Sequence, residues 1–242
     1  MSASPAAAFL QSLVTDLTAR RAADDRLAPF LDALGTVDYS AQRYERAERF
    51  EHTSMRYLDP ALDTASGVPA LVDAVRQVAH SVHWYQIFQG GNIDKTLTEG
   101  LLAAQVAGPV GMVSNDTLRC GLFLLAPGLH YPLHTHAASE IYYCLSGALE
   151  LAYDLGKGSF QLLPGALSVT PSHRLHSLTT GASPVLLIYL WTGPVDEPNW
   201  WWEKRQDGIW QRTKWVRTPD ASWKRSESER VTDTVMRAAL GG

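Results

Sequence analysis

The sequence of 242 residues is poor in cysteine and in charge and lacks any long apolar run. Its two cysteines, Cys120 and Cys144, are too few for a disulfide framework, so we expect two buried thiols in a reducing compartment. No segment approaches the roughly 18 continuous apolar residues of a transmembrane helix. Polar residues interrupt the N-terminal apolar stretch, and no basic residues precede it, which disfavours a secretory signal. We therefore predict a soluble, cytoplasmic protein.

The composition of charged residues limits which classes of binding partner are expected. Charged residues make up only 19% of the chain, the net charge is −4 and the pI is about 6.0. Such a chain offers no basic field for nucleic acid or an anionic membrane, and no helix-turn-helix is recognisable, which argues against a transcription regulator. A small-molecule partner is expected instead.

Apolar spacing divides the chain into regions of different character. Helical periodicity marks the N-terminal part, as in Leu10, Leu13, Val14 and Leu17, and again in Leu71, Val75, Val78 and Val82. From about residue 108, short apolar or alternating runs are separated by Gly and Pro, which is typical of a compact β-barrel or jelly roll. We predict a mainly β fold with a helical extension over 1–107 that packs on a barrel over 108–195.

A tryptophan-rich segment over 196–242 completes the chain, and one structural domain is expected overall. This segment ends in a charged stretch for which a helix is expected. We expect the cluster at Trp200, Trp201 and Trp202 to pack across a domain or subunit interface, which favours a homodimer.

Histidines and one glutamate form the most informative cluster in the sequence. His134 and His136 are two residues apart, so on an extended strand they project to the same side. Glu140 can return to the same pocket after a turn, and a closed barrel can bring His176 opposite the pair. Three imidazoles and a carboxylate suit one divalent transition metal per chain (Zn, Mn, Fe, Co or Ni) and leave positions open for substrate. His130 lies outside this pattern, where a loop or supporting role is expected.

The spacing around these residues resembles the two motifs of the cupin superfamily. The first motif is matched in full by Gly128, His134, His136, Glu140 and Gly147. The second is matched by Gly165, Pro171 and His176, whereas His173 replaces a glycine and Thr180 an asparagine. The resemblance implies a jelly-roll barrel with the metal in its interior. A cupin scaffold alone does not define the reaction.

Tyr142 lies two residues after Glu140, so strand alternation points it at the metal and Tyr143 away from it. A nearby divalent cation would favour its phenolate, which makes Tyr142 a candidate base. On the residues alone, an aromatic filling the barrel wall is an equally good interpretation.

The set His136, Glu140, Tyr142 and His176, with Tyr131 upstream and Trp191 downstream, resembles the cupin-type dimethylsulfoniopropionate lyases. Length and the helical N-terminal part are similar to the larger DddL-type branch. The resemblance implies that the metal binds the substrate carboxylate, that Tyr142 removes the α-proton, and that β-elimination yields dimethyl sulfide and acrylate. It assigns Tyr131 an assisting or substrate-binding role. Whether His134 is a ligand or supports the ligands stays open.

Substrate contacts are expected from Trp191, Tyr131 and His173. An aromatic face attracts a sulfonium cation by about 0.5–2 kcal/mol. Trp191 also fits the role of a core residue at the end of its strand. Two other function classes remain open: a cupin dioxygenase using ferrous iron, and a ligand-binding cupin without catalytic activity.

Overall fold

The computed structural model describes residues 4–88, 93–155, 158–219 and 223–241. Two antiparallel sheets carry helices on one outer face. The helices are α1 (Pro5–Arg21), α2 (Ala28–Gly35), α3 (Leu58–Asp63), α4 (Pro69–Ala79), α5 (Lys95–Gly100) and α6 (Asp233–Leu240), with short 3₁₀ turns at Asp25–Leu27, Tyr39–Ala41 and Thr53–Tyr57. The strands are β1 (Trp84–Gln86), β2 (Leu101–Ala107), β3 (Leu118–Leu125), β4 (His130–Thr135), β5 (Ser139–Ser146), β6 (Leu149–Ala152), β7 (Ser159–Leu162), β8 (Leu167–Thr170), β9 (His176–Thr180), β10 (Val185–Thr192), β11 (Asn199–Lys204), β12 (Trp210–Arg217) and β13 (Trp223–Arg230).

Local sequence explains the long N-terminal helix. The hydroxyl of Ser4 accepts a hydrogen bond from the amide of Ala7 (3.3 Å), and Pro5 occupies the first turn, where it sacrifices no helical hydrogen bond. Phe9, Leu13 and other apolar residues of one stripe are buried. This stripe packs against α4 and the first sheet, as the periodicity predicts.

The strands form two sheets that face each other. The first has the order β1-β2-β3-β10-β5-β8 and the second the order β13-β12-β11-β4-β9-β6-β7. Two main apolar clusters follow from this arrangement, one between the helices and the first sheet and one between the sheets. Strand β5 contributes to both because its side chains alternate: Tyr143 packs toward the helices and Tyr142 toward the barrel interior.

This architecture confirms the mainly β cupin prediction, but strands extend beyond the stretch predicted to form the barrel. Strands β1 and β2 lie within 1–107 and belong to the first sheet, so that sheet crosses the predicted boundary at 107/108. Strand β2 is buried at every residue, and a strand buried on both faces shows no alternation to reveal it.

The C-terminal segment also differs from expectation. It adds β11, β12 and β13 to the second sheet, where β11 pairs with β4. Most of its charged stretch forms the edge strand β13, which is exposed from Lys224 to Arg230, and the helix begins only at Asp233. Charged side chains on an edge strand prevent pairing with other chains, which explains why this strand lacks an apolar pattern.

Both cysteines are buried and free, as expected. Burial raises the pKa of the Cys144 thiol to about 12, so this thiol is protonated and unreactive at neutral pH. Among the described residues, no helix combines the length and apolarity needed to cross a membrane.

Candidate metal centre

The barrel interior brings together the four side chains that the sequence pattern singles out. His134 lies in β4 and pairs directly with His176 at the start of β9, while His136 follows β4 and Glu140 lies in β5 of the facing sheet. The ligand atoms of the three histidines all lie within 4.8 Å of one another. Glu140 Oε2 is 3.0 Å from His136 Nε2 and 3.8 Å from His176 Nε2. All four side chains are buried.

Backbone carbonyls orient the three imidazoles. The Nδ1 atoms of His134, His136 and His176 lie 2.8, 2.8 and 2.9 Å from the carbonyl oxygens of Pro132, Ala138 and Arg174, respectively. A carbonyl oxygen only accepts hydrogen bonds, so Nδ1 carries the proton and Nε2 keeps a free lone pair. This arrangement is the usual support of a metal-binding histidine.

The acceptor atoms at the centre need a positive charge between them. With Nδ1 protonated, His136 Nε2 and Glu140 Oε2 are two acceptors only 3.0 Å apart. Among the described residues, the other carboxylate oxygen, Oε1 of Glu140, is buried without a hydrogen-bond partner. An unpaired buried carboxylate oxygen is costly unless a positive charge compensates it. The residues present therefore fit a divalent metal.

Protonation states agree with this fit. Burial, together with the nearby His176 and His136, holds the pKa of His134 well below 6.5, and burial also lowers the pKa of His176. Burial alone would raise the pKa of Glu140, but the adjacent imidazoles of His136 and His176 outweigh burial and lower that pKa. Neutral imidazoles and an ionised carboxylate are the forms that bind metals.

A narrow cavity of about 20 Å³ adjoins the centre. Its wall includes His134 and Glu140 together with Tyr85, Tyr131, Tyr142, Tyr189, Trp191, Asn199, Arg217 and Trp223. The aromatic side chains leave room for about one water molecule, so a larger ligand requires them to move. The structure thus places Tyr131, Tyr142 and Trp191 beside the predicted ligands.

The two tyrosines differ in their contacts. The Tyr142 hydroxyl lies 3.3 Å from His176 Nε2, whereas the Tyr131 ring stacks on His134 with 3.9 Å between ring centroids. Burial raises the pKa of Tyr131 and, with the neighbouring Glu140 carboxylate, raises the pKa of Tyr142 well above 10. Without a cation at the centre, Tyr142 is therefore a neutral phenol. A base at this position needs a nearby positive charge.

Trp191 and His173 lie in different surroundings. Trp191 is buried in the cavity wall and stacks on His136 with a centroid distance of 4.2 Å. His173 does not line the cavity in this structure, and a substrate contact from it stays a prediction. The side chain of His173 is exposed, and its backbone, at φ +61°, forms the turn for which the cupin motif uses glycine. His130 is also exposed and lies 2.9 Å from the hydroxyl of Thr179.

The cluster at Trp200, Trp201 and Trp202 is engaged within the chain. Trp202 Nε1 donates a hydrogen bond to the hydroxyl of Thr135 (3.1 Å). Trp201 packs against Trp215 (4.6 Å between centroids), and the guanidinium of Arg212 covers Trp200. These contacts dock the C-terminal strands onto β4, and a further contact of this cluster with another subunit stays a prediction.

Comparisons with known proteins identify the family. A sequence profile of dimethylsulfoniopropionate lyases matches residues 33–187. The chain belongs to the dimethylsulfoniopropionate lyase family. Dimethylsulfoniopropionate lyase DddQ of Ruegeria pomeroyi is 27% identical over 189 residues, which are 77% of this chain and 90% of that protein. The putative lyase DddL of Cereibacter sphaeroides is 29% identical over 147 residues, 59% of this chain and 60% of that protein.

Solved structures share the fold. The crystal structure of DddQ from Ruegeria pomeroyi superposes with a TM-score of 0.60 at 22% identity, over 81% of this chain and 96% of that one. A crystal structure from a study of the lyases RdDddP and RnDddQII gives a TM-score of 0.56 at 25% identity, over 76% and 94%. The resemblance to cupin-type dimethylsulfoniopropionate lyases is thereby confirmed, and with it the prediction that the protein is a lyase.

Several residues that line the cavity of this lyase-family chain were not predicted from the sequence. Tyr189 lies two residues before Trp191 on β10, and the alternation of that strand could have placed it on the same face. Asn199, Arg217 and Trp223 come from the C-terminal strands, and no local pattern connects them to the histidines. Only the pairing of β11 with β4 brings them there.

Proposed function

We propose that this protein cleaves dimethylsulfoniopropionate to dimethyl sulfide and acrylate in a metal-dependent β-elimination with Tyr142 as the base. The observation that carries the proposal is the position of the Tyr142 hydroxyl, 3.3 Å from His176 Nε2 in a buried cavity. A base at this point is next to the centre where a substrate carboxylate would bind.

One divalent transition metal per chain (Zn, Mn, Fe, Co or Ni) would be held by His134, His136, Glu140 and His176. When bound, it supplies a positive charge that binds and polarises the substrate carboxylate and favours the phenolate of Tyr142. His134 is included because its Nε2 is free and its ligand atom lies within 4.8 Å of those of the other two histidines.

Side chains of the protein carry out proton transfer and bind the substrate. Tyr142 Oη takes the proton from the carbon next to the carboxylate. The electron pair of that C–H bond forms the new carbon–carbon double bond, and the carbon–sulfur bond breaks with its pair leaving on dimethyl sulfide. Trp191, stacked on His136, offers an aromatic face to the sulfonium cation. Tyr131 contacts the substrate, and the surrounding aromatic side chains exclude water.

The test is direct. Purified protein is stripped of metal, reconstituted separately with Zn, Mn, Fe, Co and Ni, and incubated with dimethylsulfoniopropionate while acrylate and dimethyl sulfide are followed. We expect equal amounts of both products from at least one reconstituted form and a large loss in the stripped protein. Absence of product from every form, with metal bound, refutes the proposal.

A homodimer is a separate proposal. It is supported by the edge of the second sheet, where Phe160 of β7 and Leu163, just after that strand, are 44% and 52% exposed. Light scattering on the purified protein should give twice the chain mass of 26.6 kDa, and Phe160→Lys should reduce it. A measured particle mass equal to that of one chain at all protein concentrations rejects the dimer.

A further inference from the structure

Asn199, the first residue of β11, reaches into the cavity and contacts a tyrosine of the site. Its amide Nδ2 lies 2.7 Å from the Tyr131 hydroxyl, and the two residues are 2% and 6% exposed. The next two residues of β11, Trp200 and Trp201, pair with Thr135 and His134. The C-terminal segment therefore places one polar group directly beside the metal-site strand.

The chemistry of the two groups fixes the direction of this hydrogen bond. The amide nitrogen only donates, so the oxygen of Tyr131 accepts. A phenolic O–H prefers the plane of its ring, where it has two positions. Asn199 Nδ2 takes one of them at 2.7 Å, and the indole of Trp201, also beside this hydroxyl, is a second group that can only donate. Stacking on His134 at 3.9 Å holds that plane in place. The Tyr131 proton is thereby directed to the other side of its oxygen.

We propose that Asn199 is a positioning residue that makes Tyr131 a hydrogen-bond donor toward the substrate carboxylate. This inference rests on the proposed function, since a sulfonium zwitterion has its only strong acceptors on the carboxylate. Both Tyr131 and Asn199 line the cavity beside Glu140. The second amide atom, Asn199 Oδ1, is buried without a partner among the described residues, so Tyr131 is the contact that orients this side chain.

Asn199→Asp tests the direction of the hydrogen bond because it keeps the shape and replaces the donor with an acceptor. The Tyr131 proton then turns toward residue 199 and away from the substrate. We expect kcat to fall about tenfold or more, with metal content and fold retained. Asn199→Ser, whose shorter side chain can still donate, should recover part of the loss. A kcat for Asn199→Asp within twofold of wild type overturns the proposal.

A matched control separates positioning from a structural role. Trp202→Phe deletes another buried hydrogen bond between β11 and β4 without touching the cavity. It should lower thermal stability but leave kcat unchanged. In the Tyr131→Phe background, Asn199→Asp should cost no further activity because both changes remove the same donor. Independent, multiplicative losses contradict the proposal.

A readout without turnover separates this inference from the proposed function. Tyrosine labelled with carbon-13 at Cζ gives a resonance for Tyr131, assigned with Tyr131→Phe, that responds to donation and acceptance at its oxygen. Asn199→Asp should shift this resonance and Trp202→Phe should not. If the wild type is inactive but Asn199→Asp shifts the resonance as expected, the proposed reaction is rejected and the hydrogen bond between Asn199 and Tyr131 is supported. An unshifted resonance rejects the role of Asn199 in either case.

Discussion

At the scale of single residues, each metal-site histidine donates its Nδ1 proton to a backbone carbonyl and turns Nε2 toward a shared centre. These carbonyls belong to residues two positions before or after each histidine, so the local turn itself selects the tautomer. Two of the histidines also approach Glu140 Oε2 within 4 Å. The fold itself therefore directs the candidate ligand atoms toward one point.

We predict that His176→Ala lowers metal content, because it removes a buried ligand shared by the centre. The control is His173→Gly, which changes an exposed histidine only three positions away and suits the left-handed backbone at that turn. Metal per chain, measured by mass spectrometry on purified protein, should fall in the first variant and stay at the wild-type value in the second. Stoichiometric metal in His176→Ala shows that the site is assigned wrongly.

Acidification should destabilise the metal-free protein. The pKa values of His134 and His176 lie below 6.5 in the folded state, so the unfolded chain binds more protons once the pH falls below about 6.5. The free energy of unfolding then falls by at most about 1.4 kcal/mol per pH unit for each proton that the unfolded chain binds and the folded chain does not. Urea unfolding at a series of pH values measures this slope. A free energy of unfolding that stays constant or rises below pH 6.5 contradicts the inferred neutral histidines.

Sequence reasoning succeeded at the residue scale where spacing alone decides position. Glu140 and Tyr142 share a strand face because side chains alternate, and His134 and His136 share one for the same reason. It did not predict that His173 lies outside the cavity, because a residue near a candidate ligand in sequence is separated from it in space when the chain turns. Asn199 was missed because its partner Tyr131 is 68 residues away.

At the scale of secondary structure, Arg20 of α1 connects the helical extension to the first sheet, which carries Glu140 and Tyr142 on β5. Its Nη2 donates to the Tyr143 hydroxyl and the carbonyl of Gly165, both at 3.0 Å, and its Nε donates to Asp16 at 2.8 Å. Tyr143 follows Tyr142 in β5, on the opposite face. One arginine thus holds the outer face of the strand whose inner face carries the candidate base.

Arg20→Ala should lower the free energy of unfolding by about 1–3 kcal/mol, since it leaves Asp16 without its charged partner and removes two hydrogen bonds. Arg21→Ala provides the control because Arg21 is the exposed neighbour in the same helix turn. Urea denaturation of both variants measures the difference. Equal effects on stability from the two substitutions would show that Arg20 does not dock the helix.

Sequence patterns predicted elements well where one face meets solvent and poorly elsewhere. The stripe of α1 and the apolar runs of β3 and β10 are evident because apolar residues cluster at a regular spacing. Strand β13 carries charges along nearly its whole length and takes its conformation from pairing with β12. Tertiary pairing overrides the local preference of the sequence here, and for this reason the charged stretch was predicted to be helical.

At the scale of the whole molecule, the first sheet is shared by two apolar clusters. The helices cover one face, and the second sheet, extended by the C-terminal strands, covers the other. The division into residues 1–107, 108–195 and 196–242 therefore describes regions of sequence that contribute to common cores. We propose that all three regions form one cooperative unit.

Unfolding should accordingly occur in one transition. Far-ultraviolet circular dichroism is weighted toward the N-terminal helices, and tryptophan fluorescence is weighted toward the C-terminal strands, where most of the tryptophans lie. The two signals should give the same urea midpoint. Separate midpoints would mean that the helical extension or the C-terminal segment folds as an independent unit.

Tyr142 is the proposed base at the candidate metal centre. The most direct test compares acrylate formation from dimethylsulfoniopropionate by Tyr142→Phe and Tyr143→Phe at equal metal content. Both variants lose one phenolic oxygen from β5, but only Tyr142 faces the histidines. Tyr142→Phe is predicted to lose about a hundredfold or more in kcat, while Tyr143→Phe stays near wild type. Full activity in metal-loaded Tyr142→Phe would show that another group is the base.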